Sequence, residues 1–282
     1  MIAFLGVGLL GSGFVRAGRG RGEDVQVWNR SAGKAAALES IGAIVCADPA
    51  SAVRGAERIH LTLSDDAAVD EVLEQARPGF APNVIIVDHT TTSPDGTRKR
   101  AERWAERGVA FQHAPVFMGP KNALDATGVM LASGERARFE ALEPALAKMT
   151  GKLLYLGPEP EHAAKLKLLG NAFLMFMTAG LRDFFALGKA MGVPAKQASE
   201  LFQYFNPGLT LPARVDRILA ADFANPSWEL TMARKDARLM LEAAEQAQPP
   251  LAVLPVIAAL MDAFIERGHG HDDWTVIAKD AL

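Results

Sequence analysis

The sequence predicts an α/β amino-terminal domain of the Rossmann type, followed by an all-α carboxyl-terminal domain joined to it by one long helix. Three observations carry this reading. Roughly the first 150 residues alternate short apolar runs with helical patterns, the arrangement that builds a parallel sheet with helices on its faces. The first of those runs, Ile2-Ala3-Phe4-Leu5, ends in Gly6-Val7-Gly8-Leu9-Leu10-Gly11. Beyond Gly157-Pro158-Glu159-Pro160, the clearest punctuation in the chain, every pattern is helical. Domains are therefore expected at residues 1–158 and 159–282.

The composition bounds the function. At 282 residues, with 49% hydrophobic and 22% charged residues, the chain can bury a sizeable core without disulfides or metals. A net charge of −3 gives no reason to expect nucleic acid as a partner, and the Arg98-Lys99-Arg100 run reads as a solvated helix face. The single cysteine, Cys46, excludes an intrachain disulfide and fits a reducing compartment. No leader pattern precedes the first strand, so a cytoplasmic location is expected. The longest uncharged run, Leu168 to Leu181, is too short to span a bilayer, so no membrane partner is expected.

Taken in order, the elements place the chemistry. The glycines follow a strand and open a helix, the context that gives G-x-G-x-x-G its meaning. Gly6 permits the tight turn, Gly8 lets the backbone approach a pyrophosphate, and Gly11 lets helix and strand pack closely. The helix N-terminus at Leu9 and Leu10 offers free N–H groups to the phosphates. The second strand, Val25 to Trp28, ends at Asn29-Arg30-Ser31. An acidic residue there favours NAD; Asn29 carries no charge, whereas Arg30 and Ser31 can donate to a 2′-phosphate. NADP(H) is thus expected over NAD(H). Strand Arg58 to Leu63 leads into Leu63-Ser64, placed against the cofactor, and Asp65 or Asp66 caps the next helix. Strand Val84 to Val87 opens onto Asp88-His89-Thr90-Thr91-Thr92-Ser93-Pro94, whose hydroxyls face the nicotinamide ribose or the substrate.

Strand Val109 to His113 leads to Ala114-Pro115-Val116-Phe117-Met118-Gly119-Pro120, and two further strands close the first domain. The long helix, about Glu161 to Met191, puts Lys167 and Asn171 four apart on one face. Its apolar stripe, Phe173, Met175, Phe176 and Met177, demands burial in a core or a subunit interface. His269-Gly270-His271-Asp272-Asp273 reads as a polar turn before the last helix, so no metal is expected.

These motifs, in this order and over nearly the whole chain, resemble the β-hydroxyacid dehydrogenase family, and the amino-terminal half is similar to 6-phosphogluconate dehydrogenase. Asp88 to Pro94 is similar to the family's D-x-S-T-x-x-P loop, Lys167-x-x-x-Asn171 to its catalytic segment, and Lys235-Asp236 to its late K-D helix. Gly268 to Thr275 approximates its closing G-x-G-x-x-D-x-S stretch. The resemblance implies that Lys167 is the general acid and base, that Asn171 orients it, and that Thr91 and Lys235 contact the cofactor. It further implies reversible hydride transfer between nicotinamide and a small carbonyl compound or hydroxy acid. The substrate residues would be Thr90, Phe117, Met118 and Gly119, and the helical domain is expected to form a homodimer or homotetramer.

The sequence departs from the family at two points. The substrate loop usually reads A-P-V-S-G-G, whereas Phe117-Met118 replaces the serine hydroxyl with two bulky apolar side chains. Glycines usually preceding the lysine correspond to Glu161 and Ala163. Two alternatives stand beside the main reading. One is an imine reductase, a class of this architecture that usually lacks the lysine; the other is a catalytically silent NADP-binding sensor.

Overall fold

The computed structural model describes residues 1–282. Six strands, β1 (Ile2–Leu5), β2 (Val25–Trp28), β3 (Ile44–Val45), β4 (Arg58–Leu61), β5 (Ile85–Asp88) and β6 (Ala110–His113), form one sheet. Its order is β3-β2-β1-β4-β5-β6 and all its strand pairs are parallel. Helices α1 (Leu9–Gly20), α2 (Ala32–Ala36), α3 (Pro49–Ala52), α4 (Asp66–Ala76) and α5 (Pro94–Glu106) make the crossovers.

The central strands are buried on both faces, as parallel strands under helices must be. Side-chain alternation divides the core in two. Ile2 and Phe4 face one cluster with Phe14, Val15 and Val87, while Ala3 and Leu5 face another with Ile59, Leu61, Leu73 and Ile86. Each such Phe or Leu contributes about 1.5–3 kcal/mol on burial, so the faces hold the sheet from both sides.

One polar row crosses the first of these cores. The fully buried His60 stacks on Phe4 at 4.7 Å between ring centroids and on His89 at 5.3 Å. The hydrogen bonds assign its tautomers. His89 Nδ1 donates to Ala114 O at 2.7 Å, so His89 Nε2 accepts from His60 Nδ1 at 3.0 Å. Burial holds both imidazoles below the usual histidine range, His89 at about 4, so the pair is neutral at pH 7. His60 is thus a structural residue of the core.

The two strands that close the first domain form a second sheet with a short third strand that the sequence does not reveal. Strands β7 (Val116–Phe117), β8 (Val129–Ala132) and β9 (Lys152–Tyr155) pair in the order β7-β8-β9, antiparallel then parallel. Helices α6 (Pro120–Asp125) and α7 (Arg136–Leu146) lie between them in the chain. The two-residue β7 is too short to show a period, yet it fixes which way Phe117 points.

The run Arg98-Lys99-Arg100 also differs from the sequence reading. Arg98 and Lys99 lie on the solvated face with Asp95 and Glu102, but Arg100 is fully buried. Its guanidinium bonds Asp70 Oδ1 at 2.7 Å and Asp66 Oδ1 at 2.8 Å, bracing α5 against α4. Buried arginine survives only with such partners, and those come from a different helix.

The long helix α8 spans His162–Ala190. Its first turns belong to the sheet unit. Ala163 and Ala164 are buried, and Ala163 N donates to Ser133 Oγ at 2.8 Å, so alanine suits the entry to this helix. The compact units divide at Asn171/Ala172, within α8.

The second unit is helical: the rest of α8 with α9 (Ala195–Glu200), α10 (Leu211–Leu219), α11 (Leu230–Ala243), α12 (Leu254–Phe264) and a closing 3₁₀ segment, Trp274–Ala281. Its core gathers Phe223, Leu230, Met261, Phe264 and Val276. Asp183 of α8 caps α12, accepting N–H groups of Ala252, Val253 and Leu254 at 2.8, 2.7 and 3.0 Å. Asp273 is a structural hub. Burial pushes its carboxyl up, but donors from Thr275 and Ser227 outweigh this and hold it at about 2. His269 bonds Asp272 and His271 faces Glu229, so that turn is tied within the helical unit.

Candidate active site

The loops after β1, β4, β5 and β6 all leave the carboxyl end of the parallel sheet, where ligands of such folds bind. Gly6 turns there with φ +91°, and a Cβ on it would overlap Thr62 O. A Cβ on Gly11 would overlap Gly6 O and Thr62 Oγ1, so α1 can approach β1 and β4 only with glycine at that position. A Cβ on Gly8 meets nothing and would project into the groove. The three glycines thus divide the work as expected: turn, open approach, close packing.

Two adjoining cavities, of about 400 and 320 Å³, run along this loop. The smaller is walled by Gly8, Leu9, Leu10, Gly11, Leu63, Ser64, Thr90 and Thr91, which brings together most of the expected cofactor residues. No side chain caps α1 and its first turn carries no acid, so its leading N–H groups are free for an anion. The larger cavity continues past Trp28, Arg30, Ser31 and Lys34. These residues fit a dinucleotide: a glycine cradle that a Cβ would fill, free N–H groups beside it, and cations at the far end.

Some positions do different work from that expected. Asn29 is committed to the fold: its Oδ1 accepts from Val7 N at 3.0 Å and its Nδ2 donates to Ser31 O at 3.0 Å. Thr90 is expected at the substrate, but it is 3% exposed and its oxygen accepts from Leu63 N at 3.0 Å. Its N–H donates to the buried Asp88 Oδ1 at 2.9 Å, so Thr90 holds the loop and Thr91 is the exposed hydroxyl. Met118, the residue after β7, is half-buried and packs against the first core cluster, as Val116 does two residues earlier. Gly119 N donates to Asn122 Oδ1 at 2.9 Å and caps α6. Lys34 is a further candidate that the sequence pattern does not single out. Four residues beyond Arg30, it lines the same cavity, and neither cation has an ion-pair partner. The signal was the short helix that follows β2.

Lys167 and Asn171 meet as their spacing required. Lys167 is 9% exposed, and its Nζ donates to Asn171 Oδ1 at 2.9 Å. The ring of Phe117 lies 4.2 Å from the same nitrogen. Burial pushes the lysine below its ordinary value, and no carboxylate opposes that shift. An ammonium held this way can give up a proton more readily than a surface lysine. Lys235, on α11 of the helical unit, pairs with Asp236 Oδ1 at 2.8 Å.

Residues 1–157 match the family described as the NAD binding domain of 6-phosphogluconate dehydrogenase. The chain belongs to the β-hydroxyacid dehydrogenase family. It is 25% identical to 2-(hydroxymethyl)glutarate dehydrogenase of Eubacterium barkeri, over 99% of this chain and 93% of that protein. It is 26% identical to 3-sulfolactaldehyde reductase of Escherichia coli, over 99% and 94% respectively. In fold it matches an imine reductase from Myxococcus stipitatus solved with NADP⁺, with a TM-score of 0.93 at 19% identity over 100% of both chains. This family member is an NAD(P)-dependent oxidoreductase of the hydroxyacid dehydrogenase type. No helix in it is long and apolar enough to cross a membrane.

Proposed function

We propose that this dehydrogenase uses NADP(H) in preference to NAD(H) and interconverts a small carbonyl compound and its alcohol, with Lys167 as general acid and base. The observation that carries the reading is the buried Lys167 Nζ bonded to Asn171 Oδ1 at 2.9 Å. A bound nicotinamide supplies or takes up hydride; the proton falls to the chain. Lys167 has three N–H donors: one goes to Asn171, one side faces the Phe117 ring, and the third is free for a carbonyl oxygen. As negative charge grows on that oxygen, the ammonium stabilises it and then gives up its proton. In the reverse direction the neutral amine takes the proton of the alcohol. Thr91 completes the proposed cofactor contacts within the sheet unit.

The NADP preference rests on Arg30, Ser31 and Lys34 in a cavity whose one carboxylate, Glu71, accepts from Gln75 Nε2 at 3.1 Å. Arg30→Ala is expected to weaken NADPH binding about 10–100-fold, the worth of a charge-assisted phosphate contact, and NADH binding less than about threefold. Lys34→Ala is expected to act in the same direction. Titration of both nucleotides by fluorescence checks this, and an equal loss for each would remove the 2′-phosphate argument.

The helical unit is proposed to pair with another copy of the chain, giving a homodimer or a homotetramer. Phe173, Met175, Phe176 and Met177 on α8 are 45–69% exposed, so the core of this chain does not account for them. Sedimentation of a monomer at micromolar concentration would refute the pairing.

A second reading, imine reduction, is favoured by the apolar ring of Phe117 beside the lysine. NADPH oxidation with glyoxylate, succinic semialdehyde, methylmalonate semialdehyde and a cyclic imine discriminates between the two. Turnover of the imine alone selects the second reading, and NADPH binding without turnover selects a silent sensor.

A further inference from the structure

Lys167 is closed in on two sides by its own unit. Asn171 Oδ1 lies 2.9 Å from Nζ on one side, and the Phe117 ring centroid 4.2 Å from it on the other. Backbone wedges the ring in place: a Cβ on Gly170, between Lys167 and Asn171 in the chain, would overlap Phe117 Cζ and Cε1. Gly170 and Phe117 therefore form a matched pair, and the ring cannot be exchanged for a small polar group without opening a hole beside the ammonium.

No side chain of Phe117-Met118-Gly119 offers an anion a donor. Phe117 has no donor, and the face of an aromatic ring carries negative potential that attracts the ammonium and repels a carboxylate. Met118 packs into the core. The Gly119 N–H is already taken by Asn122 Oδ1 at 2.9 Å. Asn122 Nδ2 is in turn engaged with Thr127 Oγ1 at 3.0 Å.

We propose that Phe117 is a specificity-determining residue: its ring, laid on the Lys167 ammonium, closes the place a substrate carboxylate would occupy and selects uncharged, apolar carbonyl compounds. The proposal rests on the reading of Lys167 as proton donor. It departs from the acidic substrates named for the two dehydrogenase relatives, because the group that would hold their anion is absent here.

The test compares succinic semialdehyde with its methyl ester, which share the reacting aldehyde and differ in charge. With NADPH, wild-type kcat/KM is expected to favour the ester by about 10-fold or more. Phe117→Ser is expected to shrink that preference by about 10-fold through a gain on the acid, while the apolar Phe117→Leu keeps it. A wild type that reduces the acid as well as the ester, or a serine variant with an unchanged ratio, overturns the proposal. If the serine variant does not fold, Phe117→Thr, better suited to a strand, replaces it.

A readout independent of turnover is calorimetric titration of the NADP⁺-loaded enzyme with isobutyrate and isobutyramide. The wild type is expected to prefer the amide and the serine variant the acid; the same order in both overturns the proposal. Lys167→Ala separates the two readings. Undiminished turnover in that variant refutes the proton donor, whereas the order of acid and amide binding still decides the role of Phe117.

Discussion

Lys167→Ala is expected to lower kcat for carbonyl reduction by about 10²–10⁴-fold, or roughly 3–5 kcal/mol of transition-state stabilisation, and to leave NADPH affinity within about threefold. The asymmetry follows from position. Lys167 is absent from both cavities that run along the glycine loop, so its loss does not disturb the groove, whereas the proton has no other lysine at this place. The pH profile gives a second check. Reduction needs the protonated amine, and burial lowers the lysine from its ordinary value of 10.5. The rate should therefore fall as pH rises through a midpoint below 10.5, and oxidation of the alcohol should rise through the same midpoint. Turnover in the alanine variant matching the wild type, with the same pH midpoint, would end the assignment.

Gly11→Ala is expected to destabilise the sheet unit by about 1–3 kcal/mol, lowering Tm by about 5–10 °C, and to weaken either nucleotide by about 10-fold or more. The added carbon would overlap both Gly6 O and Thr62 Oγ1, which are bonded to each other, so α1 must move away from β1 and β4. Gly8→Ala is the contrasting case. Its new carbon meets no protein atom, so Tm should be retained while nucleotide affinity falls, because the methyl group stands where the pyrophosphate approaches. Thermal melts of the two apo variants, set beside nucleotide titration, distinguish the roles. A Gly11→Ala protein with wild-type Tm would contradict the packing argument.

Much of this was legible because the constraints are local. Gly6 and Gly11 act on backbone within one turn, and the apolar runs at Ile2–Leu5 and Ile85–Asp88 announce strands buried on both faces. Asp65 and Ser93 cap helices four residues long or longer, a signal contained in adjacent residues. Arg100 was misread because its partners, Asp66 and Asp70, reach it from another helix. Thr90 was misplaced for a similar reason, since the N–H that occupies its oxygen comes from Leu63 in the preceding loop. Lys34 escaped notice because a lysine in a short helix differs from a surface lysine only through the cavity it lines.

The amino-acid sequence by itself determined the alternation of strands and helices in the first sheet, the glycine turn, and the pairing of Lys167 with Asn171, because each depends on neighbours a few residues apart. Only the tertiary structure decided what surrounds the lysine. A two-residue strand paired with Val129 and Met130 turns Phe117 onto Lys167 and Met118 into the core, while Asn122 consumes the Gly119 N–H. Those contacts join segments remote in the chain, and in a strand a shift of one residue would exchange the two side chains.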